Sequence, residues 1–174
     1  MSKRVNGKPS KRSRKPLTRG DPSYWENQIQ HLGRNVFYVD TGAILECLNP
    51  EDDRFKEFFD GVVGERLVTS SYVVAETVSR LVKAKPYKFI GPAGQQVSEL
   101  AVHFLRGWLE EHHVSVLHVP KEVFDAARTE FEEQKDIGCD LTDVISYVIV
   151  VGLQQQRIVA TDRHFQDLGL MCLP

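Results

Sequence analysis

Short apolar runs alternate with helical-period stretches along most of the chain. Val36–Val39 is an apolar run bounded by polar residues, which predicts a buried strand. Residues 41–48 follow as a short helix. Pro50 and the acids at 51–53 open a second helix, in which Phe55, Phe58, Phe59, Val62 and Val63 recur at helical spacing. Residues 66–69 read as a strand, and Ser70 or Ser71 caps a helix running to about Lys83. Gly and Pro mark 86–94 as a loop, before a long helix over roughly 93–112. Residues 114–119 form a third strand, and Pro120 stands where a helix to about Gln134 begins. After a linker at 136–140, residues 142–154 are apolar nearly all round, which predicts a deeply buried helix. Residues 158–160 make a fourth strand, 164–168 a helical turn, and Met171–Leu173 a last strand at the sheet edge. Strands alternating with helices in this way predict a single-domain, three-layer α/β/α fold around a central, mainly parallel sheet.

The first 34 residues differ in kind. Ser23 and Glu26, after Pro22, have capping-box spacing, so a short helix is expected to run to Leu32 and stop at Gly33. Residues 1–20 have almost no apolar content and cannot offset their ordering entropy by burial, which predicts a disordered arm. The expected organisation is therefore an arm at 1–20, a helical extension at 21–34 and one α/β domain at 35–174.

Charge sharpens that division. All charged residues of the arm are basic: Lys3, Arg4, Lys8, Lys11, Arg12, Arg14, Lys15 and Arg19. The remaining 14 basic side chains face 24 acids, so a tail of +8 precedes a body of −10 although the net charge is only −2. Such an arm either promotes solubility or holds a polyanion, for which nucleic acid is the natural partner. A binding groove on the acidic body would need local basic patches such as Arg80, Lys83 and Lys85. Cys47, Cys139 and Cys172 are widely spaced, odd in number and without a CxxC, which fits free thiols in a reducing compartment. No apolar run approaches the length of a membrane span, and no apolar stretch follows the basic start as in a secretory signal, so a cytoplasmic location is expected.

Ligands of open parallel sheets sit beyond the carboxyl ends of the strands. Asp40 follows the first strand directly, and Asp162 follows the fourth after one Thr. Glu76 lies in the second turn of the helix after the second strand, and Asp143 opens the buried helix. All four can reach one rim, where a cluster of acids is tolerated if a hard divalent ion is present. Each residue also has an ordinary reading. Asp40 and Asp162 suit N-caps, and Asp143 suits a first-turn position favoured by the helix dipole. Glu76 falls opposite Val74, Val78, Leu81 and Val82, where an exposed acid needs no function. Only the joint placement points to a site.

Three stretches taken together resemble a known family. VFYVDTGAILECLNPED is similar to the opening of PIN domains, in which Asp-Thr or Asp-Ser ends an apolar strand. LVTSSYVVAETVSRL is similar to their second block, and DLTDVISYVIVVGLQQQRIVATDRHFQDLGL to their third and fourth. The resemblance runs in order over about 35–174 and is nearest to VapC-type toxins. It implies a parallel sheet flanked by helices and an acidic cluster of Asp40, Glu76, Asp143 and Asp162, with Thr161 and Thr41 in support. It also implies Mg2+- or Mn2+-dependent endoribonuclease activity on RNA, a cognate antitoxin, and a homodimer. The basic arm, the helix before residue 34 and the long loop near 84–94 depart from many relatives. Asp140, close to Asp143, is expected to cap the helix instead.

Other enzyme classes fit less well. Haloacid-dehalogenase-type phosphatases need a second Asp two residues after the first, and Gly42 occupies that position. P-loop, GxSxG and HExxH patterns are absent, and His112, His113 and His118 read as solvated or packing residues. Trp108 and Phe104 are expected in the core. The alternatives are an RNA-processing PIN nuclease without an antitoxin, or an inactive RNA-binding scaffold.

Overall fold

Val36–Val39 (β1) has its apolar side chains buried, with only Phe37 partly exposed, as a strand covered on both faces requires. In the computed structural model of the chain, residues 36–47, 53–83, 97–133 and 138–174 are described. The basic segment 1–20, the helix expected over 23–32 and the loop expected over 86–94 lie outside them. After β1 come α1 (Thr41–Cys47), α2 (Arg54–Gly61), β2 (Arg66–Ser70), α3 (Ser71–Lys83) and α4 (Val97–Glu111). They are followed by β3 (Ser115–Leu117), α5 (Lys121–Glu133), α6 (Leu141–Gly152), β4 (Arg157–Val159), α7 (His164–Asp167) and β5 (Met171–Leu173).

The five strands lie in the order β3-β2-β1-β4-β5, and every pair is parallel. Tyr38 stands between Val68 of β2 and Ile158 of β4, which fixes the register of the sheet's centre. β5 is the edge strand that the sequence predicts. β3 is shorter than the expected 114–119, because only its central residues pair with β2. Each parallel pair is joined by a helical crossover, and α3 also meets α5 through Tyr72 stacked on Phe124.

The order matters for function. From β1 the chain moves outward through β2 to β3, then returns past β1 to β4. The carboxyl ends of β1 and β4 therefore flank the topological switch point, where an open α/β sheet leaves a crevice. Asp40 and Thr161 begin the turns on either side of it.

The core follows the expected apolar faces except on α2, α3 and α4. Tyr38, Phe59, Phe165, Ile145 and Ile149 are fully buried, and α6 is buried continuously from Asp143 to Val150. Phe59 meets Trp108 edge-on with ring centroids 5.2 Å apart, and His112 packs on the same indole. Val63, expected on the helix after Pro50, lies beyond α2 and is 84% exposed. Phe104 is also exposed and lines a cleft of about 610 Å3 beside Trp108, Lys56 and His103. It sits at the edge of the buried stripe of Ala101, Leu105 and Trp108 on α4, one turn before Trp108. None of the four candidate acids lines this cleft.

Candidate active site

Asp40 is 4% exposed, an unusual place for a carboxylate, which is rarely buried unless paired. It continues the β1 ladder, with its N–H donating to Val159 O at 3.0 Å. Its Oδ2 accepts the Gly42 N–H at 3.3 Å, and its Oδ1 accepts the Ser146 hydroxyl at 3.3 Å. Ser146 in turn lies 3.1 Å from the buried Tyr38 hydroxyl, so a polar relay joins β1 to α6. Burial, with the negative field of Asp143 and Glu76, pushes the Asp40 carboxyl up to about 7. Burial likewise holds the Tyr38 phenol above its ordinary range, so it stays a protonated donor.

Asp143 is buried in the first turn of α6. Its Oδ2 accepts the Asp140 N–H at 2.9 Å, while Asp140 Oδ1 accepts the Asp143 N–H at 3.0 Å. This reciprocal capping box confirms Asp140 as the N-cap and gives Asp143 a structural duty as well. Burial raises the Asp143 carboxyl to about 6, and Asp140, Asp162 and Glu76 add to the rise.

Glu76 is not on a solvated face. The buried stripe of α3 is Val73, Thr77 and Leu81, one residue round from the expected one, and Val82 is exposed. Thr77 fits the stripe because its hydroxyl donates to Val73 O at 2.8 Å. Glu76 borders that stripe, with a side chain only 17% exposed. Its Oε2 accepts the Thr41 hydroxyl at 3.0 Å, and Arg80 pairs with its Oε1 one turn on. Thr41 and Arg80 thus both hold the Glu76 carboxylate. Lys83 ends the same helix, and Lys85 lies outside the described residues.

Asp162, partly exposed, caps the turn after β4 by accepting the His164 N–H at 3.0 Å. Thr161 acts by contact. It is so close to Gly42 that a Cβ built on that glycine would lie 2.1 Å from Thr161 Oγ1. Gly42→Ala is therefore expected to push the β4 turn away from β1 and to destabilise the fold by about 1–3 kcal/mol, the usual cost of overpacking. Thermal unfolding of the variant checks this, and an unchanged Tm would mean that Thr161 simply rotates away.

The structure thus brings Asp40, Glu76, Asp143 and Asp162 to one rim, linked by mutual repulsion rather than by direct contact. Sequence reasoning missed Tyr38, Ser146, Cys139 and His164. Ser146 left a signal, as a polar residue one turn after Asp143 in an otherwise apolar helix.

With this geometry in hand, the comparisons with known proteins agree on the class. The chain belongs to the PIN-domain family, whose domain matches residues 37–170. Its fold is similar to that of VapC20 from Mycobacterium tuberculosis, described as a sarcin-ricin loop cleaving toxin. That likeness has a TM-score of 0.59 and 19% identity over 78% of this chain and 96% of that one. It is also similar to VapBC2 from Rickettsia felis, solved bound to a DNA fragment from their promoter (TM-score 0.57, 15% identity, 79% and 96% covered). A third likeness is to VapBC-1 from nontypeable Haemophilus influenzae (TM-score 0.55, 15% identity, 79% and 96% covered). At such identities these likenesses speak for the fold. Compared by sequence with curated proteins, the chain matches none. Among the described residues, no helix is long and apolar enough to cross a membrane.

Proposed function

We propose that this chain is a divalent-metal-dependent endoribonuclease whose site is the rim formed by Asp40, Glu76, Asp143 and Asp162. The observation that carries the reading is two buried carboxyls, Asp40 and Asp143, facing two further acids at the switch point. Structure alone gives little reason to bury like charges together. The hydrogen bonds to Asp40 come from neutral donors, a hydroxyl and a backbone N–H, so its charge is left for something else to balance. An all-oxygen donor set with surplus negative charge fits Mg2+ or Mn2+. Such an ion supplies Lewis acidity toward a phosphodiester and lowers the pKa of water.

The chain's own residues hold the donors in place. Ser146 and the Gly42 N–H orient Asp40, Thr41 and Arg80 orient Glu76, the cap with Asp140 orients Asp143, and the His164 N–H orients Asp162. Donors fixed in this way do not have to reorganise when substrate arrives. RNA is the proposed substrate because PIN-domain membership and the basic arm favour a polyanion. The VapBC complexes among the structural neighbours support a cognate antitoxin as a partner, and a homodimer is proposed by the same resemblance.

Two experiments test this reading. Single-turnover cleavage of cellular RNA by Glu76→Gln, Asp143→Asn and Asp162→Asn with Mg2+ should fall well below wild type for each. A variant that cuts like wild type would remove its residue from the site. Truncation of residues 1–20 should flatten the salt dependence of RNA binding, because the arm's cations release counterions from phosphates. An unchanged slope would put the RNA contacts elsewhere.

A further inference from the structure

We propose that Cys139, Asp143 and His164 form a binding site for a borderline divalent cation of the Zn2+ class, and that the bound ion, sharing Asp143 with the rim, shuts the nuclease off. The binding half stands on its own geometry, whereas the inhibitory half rests on the nuclease reading above.

The three side chains come from two segments that the fold brings together, the approach to α6 and the start of α7. Each offers one donor atom, and the three atoms lie within 4.8 Å of one another. A tetrahedral zinc ion with bonds of about 2.0–2.3 Å separates its donors by roughly 3.3–3.6 Å. The trio therefore needs a contraction of about 1 Å, within reach of small side-chain rotations. Gly138, at a φ of 76°, makes the turn before Cys139, and it lies beside His164 Nε2.

The His164 ring is held at one edge by Asp162, whose Oδ1 lies 2.9 Å from its buried Nδ1. Its other nitrogen, Nε2, lies near Gly138, next to Cys139, and is the donor left for a cation. Around the thiol, the field is negative. Asp143, Asp162 and Asp140 all bear on it. That field disfavours a bare thiolate and draws in a cation, whose binding exchanges the thiol proton for the metal–sulfur bond and releases the proton to solvent.

The donor types decide which ion. Mg2+ and Mn2+ prefer oxygen, whereas a thiolate with an imidazole selects zinc-like ions. The two classes of ion are thus read by overlapping donor sets that compete for Asp143.

The test is a Co2+ titration of the metal-free, full-length protein, followed by RNA cleavage in Mg2+ with added Zn2+. A near-ultraviolet thiolate-to-cobalt band should rise to one equivalent and be displaced by Zn2+. Cys139→Ser should lose that band. It and His164→Gln should each bind Zn2+ on the order of 10–100-fold more weakly, at least the loss that follows removal of an outer-shell partner. In cleavage, Zn2+ should inhibit wild type, while Cys139→Ser should still cut with Mg2+ and need correspondingly more Zn2+. No thiolate band, or a band that persists in Cys139→Ser, would overturn the site. Equal zinc sensitivity of wild type and Cys139→Ser would overturn the inhibitory half. A protein that binds Co2+ through Cys139 yet cuts no RNA with Mg2+ would keep the site and sink the nuclease reading instead.

Discussion

Asp40→Asn is expected to fold and to lose RNA cleavage by on the order of 10³-fold or more, a cost of about 4 kcal/mol in transition-state stabilisation. The amide keeps the size of the side chain: its oxygen can still accept the Gly42 N–H, and its NH2 takes the other position and donates to the Ser146 hydroxyl, which turns to accept. It removes only the charge, which is what holding a hard cation requires. Because Asp40 is buried among like charges, the same change should not lower the metal-free Tm and should raise it near pH 8. Activity and stability are then expected to move in opposite directions, as loss of function by unfolding would not allow. A variant that is inactive and also much less stable would mean that Asp40 serves mainly the fold.

The pH dependence of the metal-free protein should be inverted relative to that of a protein rich in salt-bridged carboxylates. Asp40 is raised to about 7 and Asp143 to about 6, both above their ordinary 3.8, with burial the largest cause in each case. A raised carboxyl takes up its proton more readily in the folded state than in the unfolded one. Its stabilising contribution is therefore complete below the unfolded pKa and is lost as pH rises through the folded one. Between about pH 4 and pH 7 the metal-free protein should lose stability with rising pH, by on the order of 5 °C in Tm for a chain of this size. Asp40→Asn should flatten that slope. Mg2+ or Mn2+ at pH 8 should restore the lost stability by binding the folded state alone. Calorimetry at pH 5 and pH 8, with and without metal, reads all of these effects, and a Tm that rose with pH in wild type would contradict the burial argument.

The sequence makes some of this legible and hides the rest. Apolar runs ending in an acid mark Asp40 and Asp162, because a strand buried on both faces has to be continuously apolar and its end is abrupt. The all-apolar helix after Asp143 is equally plain. Glu76 is not, because the buried stripe of α3 includes Thr77, whose hydroxyl is satisfied within its own helix. A polar residue on the buried side rotates the apparent face by one position, and Glu76 then looks solvated. Long-range partners are harder still. The Ser146–Asp40 contact spans 106 residues, and the fit of Thr161 on Gly42 depends on β4 returning beside β1. The cluster of Cys139, Asp143 and His164 carries no motif spacing at all, since a turn at Gly138 and the helix cap at Asp140 set it.

The most direct measurement is RNA cleavage by the purified wild-type protein under three conditions: with Mg2+ or Mn2+, with EDTA, and with metal restored after EDTA. The proposed site predicts cleavage with either ion, none in EDTA, and recovery on restoration. Cleavage that continues undiminished in EDTA, or a folded, partner-free protein that cuts no RNA with either ion, would contradict it.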